Sequence, residues 1–305
     1  MWFRNLTLFR FSEHAAKALK SLDTKLAEQR LRPCGPLELS SQGFISPYGR
    51  AEETLSHLVG PFALVTIARE DRLLPSSVVN DELAARLKKI TEKEGRKVGS
   101  KERKRLKDEI LTDFLPRAFI RLSKLNAYLA VKEGWVVLDT ASRKAAEEAL
   151  SKFREAAGSF PAVPMAAEES PRALMTDWLI RGKLPKGLVL GDECELRDPA
   201  ETGAIVRCRR QDLETDEVRE HLKSGKQVFQ LGLVFEDRIS FTLGEDLTVR
   251  KLRFLDQVQD ELGETDRDSS LAELDAIFAL MTLELERLLA KFEEWFGLPR
   301  PNDKK

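Results

Sequence analysis

Residues 228–254 read VFQLGLVFEDRISFTLGEDLTVRKLRF, and this stretch decides the fold class. Within 228–235, large apolar side chains occupy every second position and alternate with Val, Gln, Gly and Val, which is the period of a pleated strand. The turn-like triplets EDR (236–238) and GED (244–246) separate this segment from two further apolar runs. The sequence therefore predicts three consecutive antiparallel strands, at 228–235, 239–243 and 249–254.

Further strands and helices are predicted on both sides of this stretch. Apolar composition predicts strands at 2–11, 62–68, 135–139, 188–196 and 204–210. Helical spacing of apolar residues predicts helices near 15–26, 79–90, 106–119 and 145–153, and a long amphipathic helix at 274–292. The combination predicts an α+β fold with mixed, largely antiparallel sheets and flanking helices.

A proline-bearing segment, FPAVP at 160–164, is predicted to be an extended linker, because proline restricts its own backbone and that of the preceding residue. It would separate an N-terminal α+β half, residues 1–160, from a strand-rich C-terminal half, residues 161–305, that ends in the long amphipathic helix. A chain of 305 residues exceeds the usual size of one domain, which favours such a division.

The composition is that of a folded protein with a highly charged surface: 42% of the residues are hydrophobic, 33% are charged, and the net charge is −1. The sequence has no apolar run of about 18 residues, and its opening MWFRN lacks the layout of a secretory signal, so we expect a cytoplasmic protein. Cys34, Cys194 and Cys208 are scattered and predict reduced, buried thiols. No metal or cofactor is expected.

The net charge conceals a strong asymmetry along the chain. Residues 86–107 contain eleven basic and three acidic residues, whereas residues 256–305 contain thirteen acidic and six basic ones. Gly95 and Gly99 interrupt the basic segment, which predicts a basic helical hairpin at about 80–110 with a short glycine-bearing turn. Such a surface suits a polyanion, although a solvated hairpin is the alternative interpretation. The predicted DNA contacts here are Arg96, Lys97, Lys101, Arg103 and Lys104.

A second basic cluster, RCRRQ at 207–211, follows a predicted strand. Alternation along the strand places Arg207 and Arg209 on one face, and the amide of Gln211 is able to donate a hydrogen bond to a phosphate. Neither cluster contains interleaved aromatic residues, and no helix-turn-helix or zinc-finger pattern would read bases. We therefore predict phosphate-directed duplex binding that is tolerant of sequence, with Arg207, Arg209, Arg210 and Gln211 as further contacts.

No enzymatic constellation is recognisable. The three histidines are far apart in sequence, and the chain lacks HExxH, GxxxxGK[ST], GxGxxG and GxSxG motifs. Carboxylates are grouped at 192–195 and 256–261, but in charged stretches typical of a solvated face. We expect no catalytic residues.

Phe119 lies in LPRAF (115–119), in the predicted helical run that Pro116 interrupts. Two interpretations are open for this residue: a core phenylalanine, or an aromatic anchor in a subunit interface.

Several stretches together resemble the family of the recombination-associated protein RdgC of proteobacteria. They span nearly the whole chain in order, and specificity comes from their number and order, because none is a catalytic signature. The matching stretches are WFRNLTLFR (2–10), RPCG (32–35), LPSSVV (74–79), LKDEIL (106–111), LPRAF (115–119), RCRRQDL (207–213) and RKLRF (250–254).

The resemblance implies a horseshoe-shaped subunit that forms a ring-shaped homodimer around double-stranded DNA, in the cytoplasm and associated with the nucleoid. It implies little sequence preference and antagonism of the recombinase RecA. Whether single-stranded DNA is a further ligand stays open at this point. The residue matching Phe119 belongs to a closing dimer interface in this family, and those matching Arg210 and Gln211 lie near the DNA-facing surface.

Two other classes of function remain open. A protein-interaction or scaffold module would use the basic hairpin to dock an acidic protein partner, and would lack the steep salt dependence of a protein that contacts several phosphates. A nuclease would need a divalent metal and clustered carboxylates.

Overall fold

The computed structural model describes residues 1–13, 16, 22–49, 52–200, 203–262 and 270–301. The strands in these ranges are β1 (Thr7–Arg10), β2 (Ser40–Ile45), β3 (Ser56–Val59), β4 (Phe62–Leu73), β5 (Phe119–Ala130), β6 (Trp135–Leu138), β7 (Val163–Pro164), β8 (Leu188–Arg197), β9 (Ile205–Arg209), β10 (Gln227–Phe235), β11 (Ile239–Gly244) and β12 (Val249–Phe254). The helices are α1 (Leu22–Ala27), α2 (Ser76–Glu94), α3 (Ser100–Phe114), α4 (Arg143–Ala157), α5 (Pro171–Arg181), α6 (Asp216–Lys223), α7 (Asp256–Asp260) and α8 (Ser270–Phe296), with a 3-10 turn at Leu115–Arg117. The predicted α+β fold with largely antiparallel sheets is confirmed.

The chain divides into two compact units that alternate along the sequence. Unit 1 comprises residues 1–28, 46–66 and 125–305, and unit 2 comprises residues 29–45 and 67–124. Strands β4 and β5 each begin in one unit and end in the other, so the chain passes between the units along these strands. Residue 160 lies inside unit 1, and the division into the halves 1–160 and 161–305 stays a prediction.

The three strands predicted from residues 228–254 are present in unit 1. They belong to an antiparallel five-stranded sheet with the order β12-β11-β10-β8-β9. The side chains of Leu231, Leu233 and Phe235 on β10 are buried on one face, as the period of two predicts. The stripe of α8, including Phe278, Leu285 and Phe292, belongs to the same hydrophobic core.

A second sheet has the strand order β2-β4-β5-β6-β1-β7, with β3 also pairing with β4. Residues 160–164 are extended, as predicted, but they are part of unit 1 rather than a free linker. Phe160 and Ala162 are buried, and Val163 and Pro164 pair with Arg10 and Phe9 of β1. Proline is compatible with this position because β7 lies at the edge of the sheet, where one side of the strand needs no donor.

Unit 2 contains β2, the distal part of β4, the helices α2 and α3, and the first half of β5. The prediction of a helical run through Phe119 is wrong. Helix α3 ends at Phe114, the chain makes the 3-10 turn, and Ala118 is already extended, with φ −69° and ψ 138°. Pro116 explains the change, because its ring excludes the helical hydrogen bond that a continued α-helix would need.

The predicted helix at 15–26 is described only in part, since Ala15 and Leu19 lie outside the described residues. Its C-terminal part is α1, in which Leu22 and Leu26 are buried. All three cysteines are buried and free, as predicted. None of the helices in the described ranges is long and apolar enough to cross a membrane.

Candidate nucleic-acid interface

Glycine residues define the tip of the basic helical hairpin that α2 and α3 form. Gly95 adopts a left-handed conformation, with φ 62°, and its N–H donates to the carbonyl of Thr91 at 2.9 Å, which ends α2. Gly99 is extended and precedes the first residue of α3. The turn at 95–99 therefore follows from two residues that stop and start helices.

A small apolar core holds the hairpin together. Val79 and Leu83 of α2 pack with Ile110 of α3, and all three are buried. Partly buried residues extend the contact, namely Leu74, Leu87, Leu106, Leu111 and Phe114. Because this seam uses the apolar face of each helix, the lysines and arginines lie on the outside.

The proposed contacts on the hairpin differ in their partners. Arg96 donates to Glu94 at 2.6 Å and to Glu102 at 2.7 and 2.8 Å. The hydrogen bonds to Glu102 and Glu94 raise the pKa of the Arg96 guanidinium, and those from Arg96 lower the pKa of Glu102. In contrast, four cations have no carboxylate partner among the described residues: Lys97, Lys101, Arg103 and Lys104.

The second proposed cluster lies on β9, the edge strand of the five-stranded sheet in unit 1. Cys208 is buried opposite Cys194 of β8, whereas Arg207 and Arg209 are exposed on the other face, as alternation predicts. Arg210 directly follows the strand and adopts a left-handed conformation, with φ 53°. Two consecutive cations, Arg209 and Arg210, therefore lie at the point where the strand ends.

Neighbouring residues of this cluster also differ in whether a carboxylate of the protein already pairs with them. Arg207 donates to Glu195 at 2.6 Å, and Gln211 donates to Glu217 at 3.0 Å. Burial alone would raise the pKa of Glu195, but hydrogen bonds from Arg207 and Arg197 outweigh burial and lower it. Arg209 and Arg210 have no ion pair with any residue that the structure describes.

The two clusters belong to different compact units, the hairpin to unit 2 and the β9 cluster to unit 1. Within unit 1, the structure brings Lys251 and Arg253 of β12 to the same cleft as Arg209 and Arg210. Neither cation was among the DNA contacts predicted from the sequence. Their signal was the alternation of basic and apolar residues in RKLRF, read together with the neighbouring strands of the meander.

Phe119 is the most exposed large hydrophobic residue described, with 83% of its surface accessible. It begins β5, and Ile120 and Leu122 of the same strand are also exposed. The interpretation of Phe119 as a core residue is therefore wrong. Arg121 separates Ile120 from Leu122, so the segment combines three exposed apolar side chains with a charged one. Exposed apolar side chains grouped in this way are typical of an interaction surface.

Comparison with known proteins gives a match over nearly the whole chain. The sequence model of the family described as "Putative exonuclease, RdgC" matches residues 1–298. A protein of Xanthomonas campestris pv. campestris (strain B100) named "Recombination-associated protein RdgC" is 49% identical over 301 residues, which cover 98% of this chain and 99% of that protein. The chain belongs to the RdgC family. Proteins of the same name from Xanthomonas axonopodis pv. citri (strain 306) and Stenotrophomonas maltophilia (strain R551-3) are 49% and 48% identical, covering 96% and 98% of this chain and 97% and 99% of their own lengths.

The two comparisons carry different descriptions. The family model is described as an exonuclease, and the individual relatives are named recombination-associated proteins. The second is the name that the full-length relatives carry, and it makes this chain a member of a recombination-associated family. Across the described ranges, no group of three or more His, Cys, Asp or Glu residues is arranged to hold a metal ion.

Proposed function

We propose that this protein binds double-stranded DNA through its phosphates, without reading base sequence and without catalysing a reaction on the DNA. The observation that carries the proposal is the tip of the α2–α3 hairpin. Four cations there have no carboxylate partner within the described structure, so they are available to a polyanion. Their attraction to phosphates would release counterions from the DNA.

The proposed DNA contacts include the residues of both basic clusters. On the hairpin they are Arg96, Lys97, Lys101, Arg103 and Lys104, and on and after β9 they are Arg207, Arg209, Arg210 and Gln211. Arg96, Arg207 and Gln211 would exchange a carboxylate of the protein for a phosphate, whereas the others would bind without that exchange. Membership in a recombination-associated family supports DNA as the polyanion.

We further propose that the subunit is horseshoe-shaped and closes with a second copy into a ring around the duplex. Phe119 would lie in one of the closing interfaces, since an exposed aromatic residue gains most when a partner removes it from water. Such a ring in the cytoplasm, associated with the nucleoid, would antagonise RecA by occupying DNA on which a RecA filament grows.

Topology provides the test of a ring. The full chain is bound at low salt to a covalently closed circular duplex and, separately, to the same DNA after linearisation, and each complex is then challenged with high salt. A closed ring stays on the circle and slides off the linear ends. Equal loss from both DNAs contradicts the ring but leaves phosphate binding in place, and the variant Phe119→Ser is expected to be lost equally from both.

The absence of catalysis has its own test. End-labelled linear duplex and single-stranded DNA are incubated with the protein and with Mg²⁺ or Mn²⁺ in excess of the protein. We expect intact DNA, whereas an exonuclease would release labelled mononucleotides. Release that depends on protein and metal would contradict this part of the proposal.

A further inference from the structure

A cleft of about 550 Å³ opens on the five-stranded sheet of unit 1. Gly232, Val234 and Ser240 line it, whereas Leu231 and Phe235 on β10 belong to the hydrophobic core. Leu233 and Phe241 belong to the core and also line the cleft, so the cleft lies directly against the packed part of the sheet.

Two glycines form the floor of this cleft. A Cβ atom added to Gly191 of β8 would lie 2.9 Å from the carbonyl carbon of Gly232 on β10, and one added to Gly232 would lie 2.9 Å from the carbonyl oxygen of Glu193. The two strands approach too closely for side chains at these positions. The register of β8 and β10 is irregular here, between Leu231 and Leu233.

The walls of the cleft are strongly charged. Its cations are Arg209, Arg210, Lys251 and Arg253, and its carboxylates are Asp192 and Glu193. Glu193 accepts hydrogen bonds from Thr242 and from Lys251, and it also lies opposite Arg209 in the register of β8 and β9, so its charge acts on both Lys251 and Arg209. Arg209, Arg210 and Arg253 have no ion pair to any described residue, which leaves three guanidinium groups around one cavity.

The chemistry of the walls favours a phosphate over a base. A guanidinium presents parallel N–H donors that match two phosphate oxygens. Phe241 is the aromatic residue among the lining residues, and it is buried, so it offers no surface on which a base could stack. A cleft of about 550 Å³ is too small for a duplex, so only a protruding phosphate of the backbone would enter.

We propose that this cleft holds a backbone phosphate of DNA, and that Arg253, on a strand distant in sequence from the β9 cluster, is one of its ligands together with Arg209 and Arg210. The inference rests on the proposed function, and it adds a concave phosphate site on a rigid sheet to the convex basic hairpin. Three guanidinium groups from two strands at opposite edges of the sheet would fix the position of that phosphate.

Arg253→Ala in the full chain tests the site, and Arg250→Ala on the same strand is the matched control, because Arg250 already pairs with Asp246 at 3.5 Å. Binding to a labelled duplex is measured by fluorescence anisotropy from about 50 to 200 mM salt. We expect the slope of log K against log salt to become less negative by about 0.9 in Arg253→Ala and to stay at the wild-type value in Arg250→Ala. Arg253→Lys keeps the charge and is expected to keep the slope, and thermal unfolding of each variant identifies any loss of folding.

Each outcome separates the inference from the proposed function. A wild-type slope in folded Arg253→Ala overturns the phosphate site in the cleft but leaves duplex binding intact. Failure of the wild-type chain to bind duplex at low salt overturns the proposed function itself. Calorimetric titration with inorganic pyrophosphate is the third arm: binding that Arg253→Ala abolishes, with an unchanged DNA slope, assigns the cleft to a free anion and contradicts a DNA phosphate.

Discussion

The α2–α3 hairpin and the five-stranded sheet both present arginines and lysines, but they hold them in different ways. On the hairpin, the cations stand on the outer faces of two helices whose shared core has three fully buried residues. On the sheet, the arginines extend from strands that pack against a large core including α8. The hairpin therefore concentrates many charges on an element with a small core, whereas the sheet carries fewer charges on strands that a large core supports.

In both regions, some cations pair with carboxylates of the protein and only the remaining ones are available to bind DNA. Arg96 on the hairpin and Arg207 on the sheet are held by carboxylates of the same unit, whereas Lys97 and Arg209 close to them are not. Exposed ion pairs contribute little to stability, so such carboxylates act mainly by competing for the cation. Availability, rather than charge count, should decide which residues contact DNA.

The hairpin should dominate the salt dependence of binding. Replacing Lys97, Lys101, Arg103 and Lys104 together by alanine should make the slope of log K against log salt less negative by about 3.6, since each lost phosphate contact contributes about 0.9. Arg143→Ala with Lys144→Ala on α4 is the control, because these cations pair with Glu147 and Glu148. An unchanged slope in the quadruple variant would remove the hairpin from the interface.

The small core of the hairpin should make it sensitive to one substitution. Ile110→Ala should lower the free energy of opening the hairpin by roughly 2–5 kcal/mol, the usual cost of removing a buried aliphatic side chain. Hydrogen exchange of the α2 and α3 amides measures this effect. Val78→Ala, at an exposed position, should change it by less than about 0.5 kcal/mol. Equal protection in the two variants would mean that another contact supports the hairpin.

On β9, two arginines at neighbouring outward positions should differ. Arg209→Ala should reduce the steepness of the salt dependence by about 0.9, the value for one contact. Arg207→Ala should have a smaller effect, because binding through Arg207 must first break its hydrogen bond with Glu195. Anisotropy titrations of the two variants give the comparison directly, and a larger effect for Arg207 would reverse the assignment of available cations.

Weakening the ion pairs of Arg96 should produce the smallest change in the salt dependence of binding, and that change should make the slope more negative rather than less. Glu102→Gln removes one of the two carboxylates that pair with Arg96 and leaves the other, Glu94, in place. DNA binding should therefore tighten, and the slope should steepen by less than about 0.9, the value for one full contact. Glu92→Gln removes the same charge from the hairpin without releasing Arg96, since Glu92 lies near Lys88. If both variants change the slope equally, the pairing of Arg96 does not limit binding.

A pH titration checks the same pairing with the wild-type chain. Because Arg96 lowers the folded-state pKa of Glu102, their pairing is fully present above the ordinary carboxyl pKa and is lost as the pH falls through the lowered value. The Glu102 carboxyl resonance, followed by NMR, should therefore titrate below the ordinary range for glutamate. In Arg96→Ala it should move back toward that range.

The sequence predicted elements whose signal is local. The strands at 228–254 were readable because their apolar residues alternate and their turns are short and charged. Strand β5 was not, because its first half, Phe119–Lys124, is exposed on both faces and lacks alternation. The strand at Val163–Pro164 exists through pairing with β1, a partner more than 150 residues earlier in the chain, which no local pattern records.

The candidate site shows the same limit. The sequence located both basic clusters and placed Arg207 and Arg209 on one face of a strand. It did not reveal that Glu195 would hold Arg207, because that pair depends on the register of β8 and β9. The alternation in RKLRF indicated an outward position for Arg253, but its nearness to Arg209 depends on the full order of the sheet and could not be predicted.

The buried cysteines give each unit an internal reporter of local opening. Cys34 lies in unit 2, and Cys194 faces Cys208 across β8 and β9 in unit 1. Burial, together with the neighbouring Cys208, raises the pKa of Cys194 to about 12, so its thiol stays protonated and unreactive while the strands are paired. Alkylation of Cys194 therefore requires that β9 separate from β8 at the edge of the sheet. Mass spectrometry can follow the alkylation rates of Cys194 and Cys34 in the same sample. The two rates report local opening in unit 1 and in unit 2 without any engineered label.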